Sequence, residues 1–166
     1  MGDIPGDIPR VKSPGISPSH PWYCYKRFDI PAESRTFKKA IEDDFCKNIT
    51  PGSHLASVHC VEEHYFIQSF KEHTHIGLHI PEKLAYNAEN FKWTDGTPVD
   101  FVGWNRFSDL GKENRQEPVL SKGPQKDDLS ERAVRVKSSR GTSGWSVNGE
   151  HAFEAGICKK EAKQYL

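Results

Sequence analysis

"FKWTDGTPVDFVGWN", residues 91–105, packs Trp93, Trp104, Asp95, Asp100 and a Thr-Pro turn into one short run. A stretch so rich in large aromatic bodies reads first as scaffold, because such side chains stabilise a fold by being buried. The partners that would bury them must come from the rest of the chain.

Downstream, residues 106–130, "RFSDLGKENRQEPVLSKGPQKDDLS", hold turn formers and charges with no sustained period. They read as a long loop, which in a compact domain is usually functional or mobile. The regular pattern then resumes. "AVRVKS" alternates with Val134 and Val136 on one face, and "FEAGICKK" reads as the closing strand.

Upstream, "WYCYKRF" from Trp22 suits a strand, and "SRTFKKAIEDDFCKN" places Phe37, Ala40, Ile41 and Phe45 at helical spacing with Ser34 available as a cap. After "TPGSH" and the short strand-like "LASVH", "CVEEHYFIQSFKEH" reads as a second helix. Glu62 and Glu63 lie in its first turn, and Phe66 and Phe70 stand one turn apart. "THIGLHI" alternates and reads as a strand. Helices early and strands late define an α+β chain.

The N-terminus repeats Gly-Asp-Ile-Pro, and Pro5, Pro9, Pro14, Pro18 and Pro21 withhold backbone donors. Residues 1–19 are therefore expected to be a flexible tail, with a short ordered arm against the domain as the alternative. Residues 20–162 form the domain and 163–166 a C-terminal tail.

The 166 residues are enough for one continuous core. Lys plus Arg number 23 and Asp plus Glu number 23, so no long-range field favours a nucleic acid or an anionic lipid. No window reaches the apolar length of a membrane span, and no secretory leader is visible. Cys24, Cys46, Cys60 and Cys158 are scattered without a C-x-x-C pair, which favours disulfides and an oxidising, extracellular setting. Asn48-Ile49-Thr50 is a formal N-glycosylation acceptor that agrees with this setting.

In order and spacing, "CYKRF", the helix ending in Cys46, "HLASVHCVEEH", "HIGLH", "FKWTDGTPVDFVGW" and "GICKK" resemble the C-type lectin-like domain over about residues 22–160. The resemblance implies two helices flanking small antiparallel sheets, with a long irregular loop region. It assigns Trp93, Val99, Phe101 and Trp104 to a second core and Asp95-Gly96 to a turn. It also implies a bond between Cys46 and Cys158, while the family's second bridge falls on Ala133 and Glu150, both partners missing together. Cys24 matches the inner member of an optional N-terminal pair whose outer member falls near Ser13. Cys60 stands where the family has a serine capping the second helix. A Cys24–Cys60 bridge and two free thiols both remain open.

Sugar-binding members hold calcium with a Glu-Pro-Asn or Gln-Pro-Asp triplet and an Asn-Asp pair after a tryptophan, since calcium takes six to eight hard oxygens that also meet sugar hydroxyls. The matching positions here are Glu117-Pro118-Val119, and Ser146-Val147 after Trp145. Two oxygen ligands are lost, so the resemblance implies ligand recognition without the usual calcium-dependent sugar site. The ligand, a glycan or a protein, would meet Glu113, Asn114, Glu117, Pro118, Trp145 and Asn148. A remodelled calcium site, with calcium as cofactor, would draw on Glu117, Asp109, Asp127 and Asp128.

Among the eight histidines, His73 and His75 flank one expected strand and could share a face, but no third ligand accompanies them. At His75 the family has a tryptophan, which marks a core position. No G-x-S-x-G elbow, H-E-x-x-H or phosphate-binding glycine loop appears, so no enzymatic activity is expected. A structural role resting on the fold alone is the alternative of another class.

Overall fold

The structure, a computed structural model, describes residues 10–12, 22–70, 73–104, 106–107, 129–137, 142–147 and 153–162; for residues 10–12, 22, 106–107, 130 and 142–143 it describes the backbone. Nine strands run through these residues: β1 (Arg10–Lys12), β2 (Trp22–Asp29), β3 (His54–Leu55), β4 (Thr74–His79), β5 (Lys92–Trp93), β6 (Arg106–Phe107), β7 (Ala133–Lys137), β8 (Thr142–Ser146) and β9 (Ala155–Glu161). The sheet order is β1-β2-β9-β4-β7-β8-β6, with β3 beside β9 and β5 beside β4. β4 and β9 meet in parallel at His75 and Gly156, and the other pairs of strands are antiparallel. Arg10–Lys12, expected within the flexible tail, instead pairs with β2 through Arg10↔Cys24 and Lys12↔Trp22.

Because side chains alternate along a strand, the sheet serves two cores at once. On one face Tyr25, Ile76, Leu78, Val134, Val136 and Ile157 join the tryptophans and α2 (Val61–Gln68). On the other, Leu55, Ala133 and Cys158 join Phe37, Ile41 and Phe45 of the N-terminal helical segment. Gly77 lets β3 and β4 approach: a Cβ there would meet Thr94 Oγ1 at 2.7 Å and the Leu55 carbonyl at 3.0 Å.

The single helix expected over residues 34–48 is two pieces. Phe37–Glu42 is a π-helical turn, in which the Asp43 N–H reaches the Lys38 carbonyl, and α1 follows at Cys46–Ile49. Thr36 rather than Ser34 caps the first piece, its hydroxyl accepting from the Lys39 N–H at 3.1 Å. The break lies at Asp44, which adopts φ 52°. Its buried carboxylate accepts from the N–H groups of Cys46 at 3.2 Å and Leu55 at 3.0 Å. Those two donors reward a left-handed conformation that aspartate tolerates better than most residues. Cys46 thus opens α1, and it is bonded to Cys158 in β9 with Cα atoms 5.6 Å apart.

The second helix, α2, forms within the expected stretch but ends at Gln68, before Phe70, and its start is fastened from an unexpected direction. Cys60 at the N-cap makes no side-chain cap. Glu63 in the first turn reaches back instead, its Oε1 accepting the His59 N–H at 2.8 Å. The bond reaches the residue before the cap, so it fastens the incoming chain to the first turn without forming a capping box.

Candidate ligand-binding site

The WTDG turn forms as its sequence suggests. The Gly96 N–H donates to the Trp93 carbonyl at 3.1 Å and Gly96 takes φ +79°, a conformation open to glycine. From there Trp93, Trp104 and Trp145 pack edge to face around one another, 5.6 Å between the ring centroids of each pair that includes Trp145. The Trp145 N–H donates to the Gly103 carbonyl at 2.7 Å, which ties β8 to the end of the 91–104 stretch. Gly144 permits this approach, since a Cβ there would meet the Gly103 oxygen at 2.6 Å.

Trp145, counted among the candidate ligand contacts, is 1% exposed and belongs to the core. It supports the surface above it and has no face to offer a ligand. Val147, in the position where the resemblance puts the key calcium aspartate, is 8% exposed and packed in the same core. Phe101 and Val102 lie against that core half-buried, while Val99 is exposed. The remaining candidates, Glu113, Asn114, Glu117, Pro118, Asn148, Asp109, Asp127 and Asp128, lie outside the described residues, as does Val119. Among the described residues, no group of three or more His, Cys, Asp or Glu side chains could hold a metal ion. His75 is buried, and its Nε2 accepts from the Phe153 N–H, while His73 Nδ1 lies 3.3 Å from the Arg135 guanidinium.

At the base of the WTDG turn the structure assembles polar groups that the sequence reading did not connect. A cleft of about 370 Å³ is bordered by Tyr23, His54, His59, Asp95, Asp100 and Lys159. Asp95 Oδ2 accepts from the Ser57 hydroxyl at 2.5 Å, and Oδ1 accepts from the Thr97 N–H at 3.0 Å and its hydroxyl at 2.5 Å. Burial works against the Asp95 charge, yet these donors, helped by Lys159, hold its carboxyl below the usual aspartate value. Beneath the cleft, Lys159 Nζ donates to Glu63 Oε2 at 2.6 Å and to the Ser57 carbonyl at 3.0 Å. The Tyr25 hydroxyl donates to the same Glu63 oxygen. Burial first, and the Glu63 charge second, push the Tyr25 phenol far above its ordinary value, so it remains a donor.

Ser57, His59 and Asp100 superficially line up as a hydrolase triad: His59 Nε2 is 3.1 Å from Ser57 Oγ, and Nδ1 is 2.7 Å from Asp100 Oδ1. The chemistry does not follow. Ser57 is 1% exposed and its hydroxyl spends its one proton on Asp95, so that proton is not directed at His59. These contacts fasten the turn to the segment before α2.

Cys24 and Cys60 are both free thiols, so the bridge between them that the sequence left open is not formed. Cys24 follows Tyr23 and precedes Tyr25 in β2, so its side chain points to the face opposite Tyr25. Burial raises the Cys60 thiol above its usual value. Asn48 is exposed at the surface of α1, and Thr50 of the same triplet is buried.

The family model of the lectin C-type domain matches residues 33–160. The chain belongs to the C-type lectin domain family, and its α+β architecture is that family's fold. It is 33% identical to snaclec B9 of Macrovipera lebetinus over 84 residues, 49% of this chain and 53% of that protein. It is 27% identical to a C-type lectin, a lectoxin of Thrasops jacksonii, over 152 residues, 84% of this chain and 81% of that one. The chain thus spans about half the length of the snaclec it matches. Among solved structures it superimposes on ovocleidin-17, a major protein of the Gallus gallus eggshell calcified layer, with TM-score 0.53, 20% identity, and coverage of 92% of this chain and 96% of that one. Herring type II antifreeze protein gives TM-score 0.52 at 18% identity, covering 85% and 92%. At those identities the likeness concerns the fold alone.

Proposed function

We propose that this chain is a non-catalytic, extracellular recognition module that binds a protein or carbohydrate through the 106–130 loop and its neighbouring surface, without the usual calcium-dependent sugar site. The observation that carries the reading is Val147, an apolar side chain packed into the tryptophan core where a charged oxygen ligand is needed. With Val119 at the third triplet position, two of the hard oxygens that calcium requires are gone. The Cys46–Cys158 disulfide, together with relatives named as snaclecs and lectins, supports the extracellular assignment.

A second reading, a calcium-dependent lectin with a remodelled site, draws support from Glu117-Pro118, from Asp109, Asp127 and Asp128 nearby in sequence, and from the name of the lectoxin relative. The two readings separate in one titration. Calcium added to chelator-treated protein, followed by calorimetry and by thermal unfolding, is expected to give neither saturable heat nor a rise in Tm, because a ligand bound only by the folded state must stabilise it. Saturable heat with a rise in Tm overturns the first reading in favour of the second, and glycan binding with and without chelator then follows.

A further inference from the structure

β4 turns two different faces to the two cores. Ile76, Leu78 and Ile80 enter the tryptophan core, whereas His75 and His79, on the alternate positions, meet the helical layer on the other side. The His75 ring stacks on Phe153 with centroids 5.2 Å apart and planes at 25°, and the His79 ring meets Phe37 edge-on at 6.1 Å. His75 is 1% exposed and His79 is 7% exposed. An apolar layer that also includes Ile41 and Phe45 therefore rests on two imidazoles.

The hydrogen bonds fix what those imidazoles can do. His75 Nε2 accepts from the Phe153 N–H at 3.2 Å, so that nitrogen carries no proton. A proton added there would remove the acceptor and set a cation against the Phe153 N–H. His79 Nδ1 donates to the Gly77 carbonyl at 3.0 Å, which leaves Nε2 as its protonation site.

The neighbouring charges differ for the two rings. Across from His75, β7 places the buried Arg135, itself in contact with His73. His79 faces Glu42 and Asp44 from the helical segment, and it shares its surroundings with Glu82, Lys83 and Lys92. Burial, and then Arg135, lower the His75 imidazole to about 3, and burial lowers His79 despite the two carboxylates.

We propose that this contact is an acid-sensitive seam, in which protonation of His75 and His79 frees Phe153 and the Phe37–Glu42 turn from β4. The Cys46–Cys158 bond keeps the layer tethered to β9, so the opening is local rather than global. The direction follows from linkage. A buried neutral histidine binds fewer protons closed than open, so the closed form is favoured at and above the ordinary histidine value of about 6.5 and loses ground as pH falls below it. Each pH unit in that window multiplies the opening equilibrium by about tenfold through His75, and His79 adds in the same direction.

Hydrogen exchange of the full chain, corrected for the intrinsic pH dependence of exchange, tests this between pH 7 and pH 4.5. Segments 37–45 and 153–157 are expected to lose at least about a hundredfold more protection than α2 on the opposite face, the loss that His75 alone gives over the two pH units below its ordinary value. The His75→Phe/His79→Phe variant, which keeps the ring contacts, should lose no more than α2 does. Equal loss in all segments of the native chain, or the same excess loss in the variant, overturns the seam. Proton resonances of the native histidines decide the matter even if the variant fails to fold. His75 should stay neutral in the closed form down to pH 4.5, and a smooth titration near its ordinary value in a closed, protected chain overturns the proposal.

Discussion

Lys159 Nζ and Glu63 Oε2 lie 2.6 Å apart, 6% and 0% exposed, and through them β9 and α2 are joined beneath the WTDG turn. Glu63 also holds the His59 N–H and the Tyr25 hydroxyl, so its charge is met by three donors. A buried ion pair with its remaining lone pairs satisfied is strongly destabilised when one member goes, because the survivor stays buried and uncompensated. Glu63→Gln is expected to cost about 3 to 5 kcal/mol in denaturant unfolding, and Lys159→Met a similar amount. The double variant should cost clearly less than the sum of the two, which a double-mutant cycle measures.

Asp95 gives a second, pH-readable prediction. Its folded-state carboxyl is held below the ordinary aspartate value, so its contribution is present above about pH 4 and is lost as pH falls through the lower folded value. Asp95→Asn should destabilise by about 1 to 3 kcal/mol at neutral pH by disturbing the Ser57 and Thr97 contacts. Its unfolding free energy should also fall less steeply below pH 4 than that of the native chain. Parallel acid limbs in the two proteins would contradict the assignment.

Cys60 at the N-cap of α2 leaves a helix donor without a side-chain partner from its own cap. Cys60→Ser supplies the missing oxygen and is expected to stabilise by about 1 kcal/mol, seen as a higher denaturant midpoint at unchanged slope. A lower midpoint would mean that thiol packing outweighs the cap.

The Cys46–Cys158 bond spans 112 residues of sequence. In the chain-entropy account, closing a loop of that length contributes about 4 to 5 kcal/mol. Cys46→Ala/Cys158→Ala should lose about that much in denaturant unfolding. An undiminished midpoint would place the stabilisation elsewhere.

The parts legible in the sequence were those with a local cause. The WTDG turn follows from Asp95-Gly96, and β4 and β7 follow from alternation. The Cys46–Cys158 partnership came from the family resemblance, and the structure forms it. The single helix over 34–48 failed because helical spacing records which side chains are buried, and Phe37, Ile41 and Phe45 are buried either way. What splits the segment is the Asp44 carboxylate reaching the Leu55 N–H, a contact no periodicity reports. The place of Trp145 in its motif is legible in the sequence, whereas its depth is set by packing.

Residue type at a given place along the chain is enough to define the class of fold and the turn that carries the chain out of the sheet. It is not enough to show that the Ser57 hydroxyl donates to Asp95, that Glu63 and Lys159 form a buried pair, or that His75 and His79 face the apolar layer. Those partners meet because sheet pairing joins segments distant in sequence, and burial then decides which charge states they can hold.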